Sequence, residues 1–186
     1  MPKKDLKKWL LNYGVKVVLI YGILSLIYFV LFYYNLFQPL KVITAQLLYL
    51  SVKPFFDVSL IGGNVISGIP IAGLGATMNL EIISLCLGWF PIAAFVSMIW
   101  ALSVKEKLRI RSLVIGIPIL ILANFLRLVT LVFISAYSGK EAFDLFHHTI
   151  GAFDLMLTVI LVFAGCVHFI IGKKELFISV KVKKQK

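Results

Sequence analysis

The stretch SLVIGIPILILANFLRLVTLVFISAY, Ser112–Tyr137, decides the fold class. It carries a single charged residue, Arg127, in an apolar run longer than the roughly 20 residues a helix needs to cross a hydrocarbon core. Val15–Leu36, Ile82–Leu102 and His148–Ile171 have the same character. Across the 186 residues, 61% are hydrophobic and 15% charged, with a mean hydropathy of +1.01. A soluble domain carries about 25% charged and about 45–50% apolar residues. One core of this size has too little interior to hide such an excess, so the surface must be apolar as well. Lipid is the solvent that permits this. A soluble enzyme and a disordered chain are both excluded.

The formal net charge of +11 invites a nucleic-acid partner, but its distribution argues against one. Lys3, Lys4, Lys7, Lys8 and Lys16 stand in or beside the N-terminal tail. Lys105, Lys107, Arg109 and Arg111 interrupt two apolar runs, and Lys173, Lys174, Lys181, Lys183, Lys184 and Lys186 close the sequence. All three clusters flank apolar stretches, where they act as cytoplasmic anchors that meet anionic headgroups. The expected partners are therefore membrane lipids and no nucleic acid. The first run is too long for the apolar region of a signal peptide, and no small-residue cleavage site clearly follows it, so it reads as a retained span.

These features predict an all-α polytopic membrane protein forming one membrane domain. Basic tails occupy 1–14 and 172–186, and the four transmembrane helices cover 15–36, 82–102, 112–137 and 148–171. Within 40–56, Leu40, Ile43, Leu47, Leu50 and Pro54 recur at helical spacing, which predicts an amphipathic interfacial helix. A second short span is the competing reading of that segment, but it would invert the later helices and place the Lys105 cluster outside. Residues 57–79 are rich in glycine and β-branched residues and contain Pro70. They read as an extracytoplasmic β-hairpin or ordered loop, because open strand edges do not survive in lipid. Ser138–His147 reads as a short polar loop.

Ionisable groups inside a membrane are costly, so each is a functional candidate. Arg127 lies nine residues before Ala136, about 13 Å along a helix. Asn124, three residues earlier, shares its face. His147, Gly151 and Asp154 follow i, i+4, i+7 spacing at the outer start of the last span, while His148 points away from that face. Cys86 falls near the outer N-terminus of the second span, where a helix dipole favours a thiolate. The topology brings Cys86, Arg127 and His147 to one leaflet on three different spans. Such a trio offers a nucleophile, a base and an electrostatic stabiliser. Glu81, Asn124, His148 and Asp154 are supporting candidates. Cys166 lies toward the cytoplasmic end and reads as packing. The two cysteines make no disulfide framework, and neither has a CxxC neighbour that would suggest structural zinc.

LEIISLCLGW (Leu80–Trp89), ANFLRL (Ala123–Leu128) and FHHTIG (Phe146–Gly151) resemble, in order, three signatures of the exosortase/archaeosortase family. These are a cysteine followed closely by glycine, an N-x-x-R motif on a later span, and an H-x-x-x-G motif opening the next. The likeness covers about Val58 to Ile171. It implies a sortase-like cysteine transpeptidase of the cell membrane with its site on the extracytoplasmic side. By motif match Cys86 is the nucleophile, Arg127 the stabiliser and substrate orienter, and His147 the acid and base. The implied substrates are exported proteins ending in a motif, a transmembrane helix and a basic tail, passed to a lipid or amine acceptor. Neither a cofactor nor a metal is expected. Two other readings remain open: an intramembrane cysteine protease using water, and a non-enzymatic assembly or transport subunit in which Arg127 pairs with Asp154.

Overall fold

The computed structural model describes the backbone of residues 3–171, and side chains from Trp9 onward except at 148, 152 and 171. The C-terminal basic tail and the side chain of His148 lie outside the described residues. Among the described residues, five α-helices and three strands follow one another: α1 (Lys3–Tyr33), α2 (Gln38–Val52), β1 (Ser59–Ile61), β2 (Val65–Ile71), β3 (Ala76–Glu81), α3 (Trp89–Ala101), α4 (Glu106–Leu145) and α5 (Gly151–Gly165). Three helical stretches among the described residues, Trp9–Tyr33, Glu106–Leu145 and Phe153–Ile170, are long and apolar enough to cross a membrane, and Trp89–Ala101 is a shorter apolar helix. The fold is that of an all-α polytopic membrane protein carrying one small sheet.

Several element boundaries differ from those the sequence suggests, each for a local reason. Helix starts at Lys3, inside the stretch expected as a basic tail, because leucine and lysine are good helix formers. It stops at Tyr33, where Asn35 adopts a left-handed conformation with φ of 53°. The stretch expected as a helix over 82–102 is helical only from Trp89. Ahead of it, Ser84–Leu87 forms a tight 3₁₀ turn, and Gly88 at φ 72° turns the chain into α3. At 13 residues α3 is about 20 Å long. The polar loop expected over 138–147 is instead mostly helix. Gly139, at φ 83° and ψ −177°, interrupts α4, and helix resumes to Leu145 before a widened turn at Phe146–Ile150.

By contact the chain divides into two compact units. In the one formed by 3–29, 90–120 and 158–171, Phe95 and Ile99 of α3 are buried with Leu120 of α4 and Val159 of α5. Gly116 lets α4 approach closely there, since a Cβ at that position would lie 2.2 Å from the Phe95 ring.

The second unit, residues 30–89 and 121–157, holds the candidate site. Its centre is the antiparallel sheet β1-β2-β3. Two-residue alternation alone would put Ile66 and Ile69 on opposite faces. An irregularity between them shifts the register, so both are buried. Gly68 sits in that irregularity at φ 89°, with the Asp57 carbonyl where a Cβ would be. Against this face pack Ala45, Leu48 and Val52 of α2 and Leu128, Leu131 and Val132 of α4. Burying a Leu or Ile side chain is worth about 1.5–3 kcal/mol, so this layer is the main attachment of sheet to helix. The stripe Leu40, Ile43, Leu47 and Leu50, picked out by its spacing, is the exposed side of α2. Helix α2 is thus apolar on both sides, one against the sheet and one open to its surroundings. Ala72 N–H donates to Ser135 O at 3.2 Å and Ser135 Oγ donates to Pro70 O at 3.3 Å, tying the β2–β3 turn to α4.

Candidate active site

Four pieces of chain meet at the site, all within the second unit. They are the 3₁₀ turn with Cys86, the following Gly88, one turn of α4 with Asn124 and Arg127, and the widened turn leading into α5 with His147 and Gly151. Helix α4 supplies the fixed element, because residues three apart on a helix share a face.

Asn124 reaches back to the cysteine turn. Its Nδ2 donates to Cys86 O at 2.7 Å, and the residue is buried. The end of a short helical turn leaves carbonyls without helical partners, and this amide supplies one of them. Gly88 packs against the same side chain: a Cβ there would lie 3.0 Å from Asn124 Cγ. The amide oxygen, Oδ1, is buried without a hydrogen-bond partner among the described residues.

Arg127 reaches the other way. Its Nη2 approaches His147 O at 3.4 Å. The guanidinium occupies the space left by the missing side chain of Gly151, where a Cβ would lie 2.6 Å from Nε and 2.9 Å from Nη2. The widened turn matters here. Gly151 N–H donates to Phe146 O, five residues back, which opens the coil and leaves the His147 carbonyl available to the arginine. His147 itself is half-buried and stacks on Phe143, with ring centroids 5.7 Å apart and planes 10° from parallel.

Cys86 is half-buried in the 3₁₀ turn, ahead of α3 rather than in its first turn, so the helix dipole invoked from the sequence is not aligned on it. The nearby positive charge is Arg127. Burial pushes the thiol above its ordinary pKa, a backbone hydrogen bond with Ile83 and the Arg127 charge pull it down, and Glu81 pushes it up. The resting thiol is therefore protonated at neutral pH and needs a base to become a nucleophile.

The supporting candidates separate. Asn124 is in contact with the cysteine turn. Glu81 is exposed at the end of β3, where its carboxylate accepts from Asn64 Nδ2 at 3.4 Å, so it reaches Cys86 through charge. Asp154 is exposed on α5 and within electrostatic reach of Arg127. Cys166 is buried, its Sγ 3.7 Å from Ser112 O. Sequence reasoning did not single out Phe143, nor the steric roles of Gly88 and Gly151. The i, i+4 spacing of Phe143, His147 and Gly151 was the available signal. Among the described residues, no three His, Cys, Asp or Glu side chains group closely enough to hold a metal ion.

Residues 10–164 match the family model for transmembrane exosortase, and the chain belongs to that family. It is a membrane protein of the exosortase type. No curated protein and no solved structure matches it.

Proposed function

We propose that the chain is a membrane cysteine transpeptidase that cuts C-terminal sorting signals of exported proteins and passes them to a membrane or surface acceptor. One observation supports this reading most. A single turn of α4 contacts both the backbone of Cys86, through Asn124, and the backbone of His147, through Arg127. The residues that bear the thiol and the imidazole are thereby both fastened to the turn of α4 that carries the guanidinium. Family membership supports the proposed class of reaction.

In the proposed reaction, His147 takes the proton from Cys86 Sγ, and the thiolate attacks the carbonyl carbon of the scissile peptide bond. Arg127 stabilises the negative charge that builds on the carbonyl oxygen, the role in which fixed cationic donors contribute most. The C–N bond breaks as His147 gives its proton to the leaving amine, and a thioester to Cys86 remains. An acceptor amine then attacks that thioester. It loses its proton to His147, which returns it to the departing thiol. The site faces the extracytoplasmic leaflet in this reading, because the lysine clusters then all lie on the cytoplasmic side. The substrate's basic tail is held on that side by the same rule.

The test is processing of a tagged protein that ends in such a signal. Cys86→Ala and Cys86→Ser should both abolish processing while the protein remains folded and inserted. Normal processing in Cys86→Ala would return the chain to a non-enzymatic role in which Arg127 pairs with Asp154. A membrane-impermeant thiol reagent should label Cys86 from outside in the Cys166→Ser background, and labelling from the cytoplasmic side alone would remove the proposed orientation.

A further inference from the structure

Catalysis by a thiol depends on where the sulfur stands relative to the charge that helps form the thiolate. Cys86 lies in a turn of only four residues, Ser84–Leu87, and such a turn has little hydrogen bonding of its own to fix it. The turn is entered from the end of β3 and left through Gly88, whose φ of 72° breaks any helical continuity with α3. Its position must be set from elsewhere.

The side chain that can set it is Asn124. Its Nδ2 holds Cys86 O at 2.7 Å, a short bond for an amide donor, and the residue is 5% exposed. Gly88 lets the amide come this close to the turn, since even a Cβ there would crowd Cγ, Nδ2 and Cβ of Asn124 at 3.0–3.3 Å. Arg127 is one helical turn further along α4, so whatever fixes Cys86 to Asn124 also fixes it to the guanidinium.

We propose that Asn124 is the positioning residue of the site: its hydrogen bond to the Cys86 carbonyl sets the distance between the thiol and the Arg127 guanidinium. Asn124 acts through the backbone of Cys86 and takes no part in bond making. The charged groups acting on the thiol are Arg127 from α4, which favours the thiolate, and Glu81 from the end of β3, which opposes it. Asp154 from α5 acts on Arg127. Releasing the turn removes the thiol from the favourable member of this set. The inference builds on Cys86 as the nucleophile, but its consequence is carried by the thiol and needs no substrate.

The experiment is the pH dependence of Cys86 alkylation by a small maleimide in the full-length, detergent-solubilised Cys166→Ser protein. Asn124→Ala and the near-isosteric Asn124→Leu both delete the donor, and Leu retains the bulk against Gly88. Each should move the alkylation midpoint upward by about one pH unit, which slows labelling at neutral pH about ten-fold. In an Arg127→Gln background the midpoint should already be high, and neither substitution should move it further, because coupled groups are not additive. An unchanged midpoint in a folded Asn124 variant overturns the proposal, as does a full extra shift in the Arg127→Gln background. Loss of folding in both variants would make Asn124 a structural prop and overturn it equally. Separately, a midpoint that shifts as expected in a protein whose Cys86→Ala variant still processes substrate would keep the positioning role and remove the catalytic one.

Discussion

Gly151→Ala tests the architecture of the site with the smallest available change, one methyl group. The added Cβ would stand 2.6 Å from Arg127 Nε, 2.9 Å from Nη2 and 2.7 Å from Phe146 O. Carbon atoms do not approach nitrogen or oxygen so closely, so at least two groups must give way. The arginine side chain is flexible, but the Phe146 carbonyl is backbone and belongs to the turn that carries His147. Overpacking of this kind costs about 1–3 kcal/mol. Displacing the guanidinium also breaks its bond to His147 O, and a hydrogen bond from a charged donor contributes about 1.5–3 kcal/mol. A displacement near 1 Å is enough to slow a positioned reaction about 10²-fold. Processing of a tagged substrate by Gly151→Ala should therefore fall by roughly that factor, while the variant still inserts and melts about 5–25 °C lower in detergent. Processing at the wild-type rate would refute the reasoning, since it would mean that the guanidinium does not depend on this space.

Arg127→Lys keeps the charge but loses the planar fork that spans Gly151 and the His147 carbonyl, so it should behave as a loss of function, at least ten-fold down in the same assay. Wild-type rates in that variant would reduce Arg127 to a point charge. The Cys86 thiol, raised by burial, should be mostly neutral at neutral pH, and in the Cys166→Ser protein its alkylation should accelerate as pH rises past the value of an unperturbed thiol. A plateau already reached below neutral pH would contradict the dominance of burial over the Arg127 charge.

The spans were legible because hydropathy over some 20 residues is a summed signal that local detail does not disturb. Local breaks were less so. Ser138–His147 contains Ser138, Gly139, Lys140 and Asp144, and its polarity resembles a loop. Lys140, Glu141 and Ala142 are nevertheless helix formers, and Phe143 has a core to pack against, so the chain resumes its helix after one glycine. The start of α3 was misjudged for the converse reason: Ile82–Leu87 is as apolar as the helix after it, and nothing in hydropathy distinguishes a 3₁₀ turn from a helix. On α2, spacing identified a face but not which solvent it meets, and in a membrane protein an apolar stripe can face lipid as readily as protein. The candidate site residues stand out through order and spacing, since Cys86, Arg127 and His147 each interrupt an apolar background. Which glycines make room for them depends on contacts between distant segments, and no pattern along the chain reports such contacts.

The interruption at Gly139 bears on how the two sides of the site keep their distance. An unbroken helix is a ruler, and it would fix the separation of Arg127 and His147 by residue count alone. Here the ruler is cut between them. The near piece is fastened just ahead of the cut, where Ala72 donates its N–H to Ser135 O, and the Ala72 carbonyl lies 3.1 Å from where a Gly139 Cβ would stand. Spacing across the site is consequently a property of lateral fastenings, the sheet turn at one end and the arginine in its glycine notch at the other. The residues between Gly139 and His147 therefore count from Gly139 and not from Arg127, so their number and the width of the site are set by separate contacts.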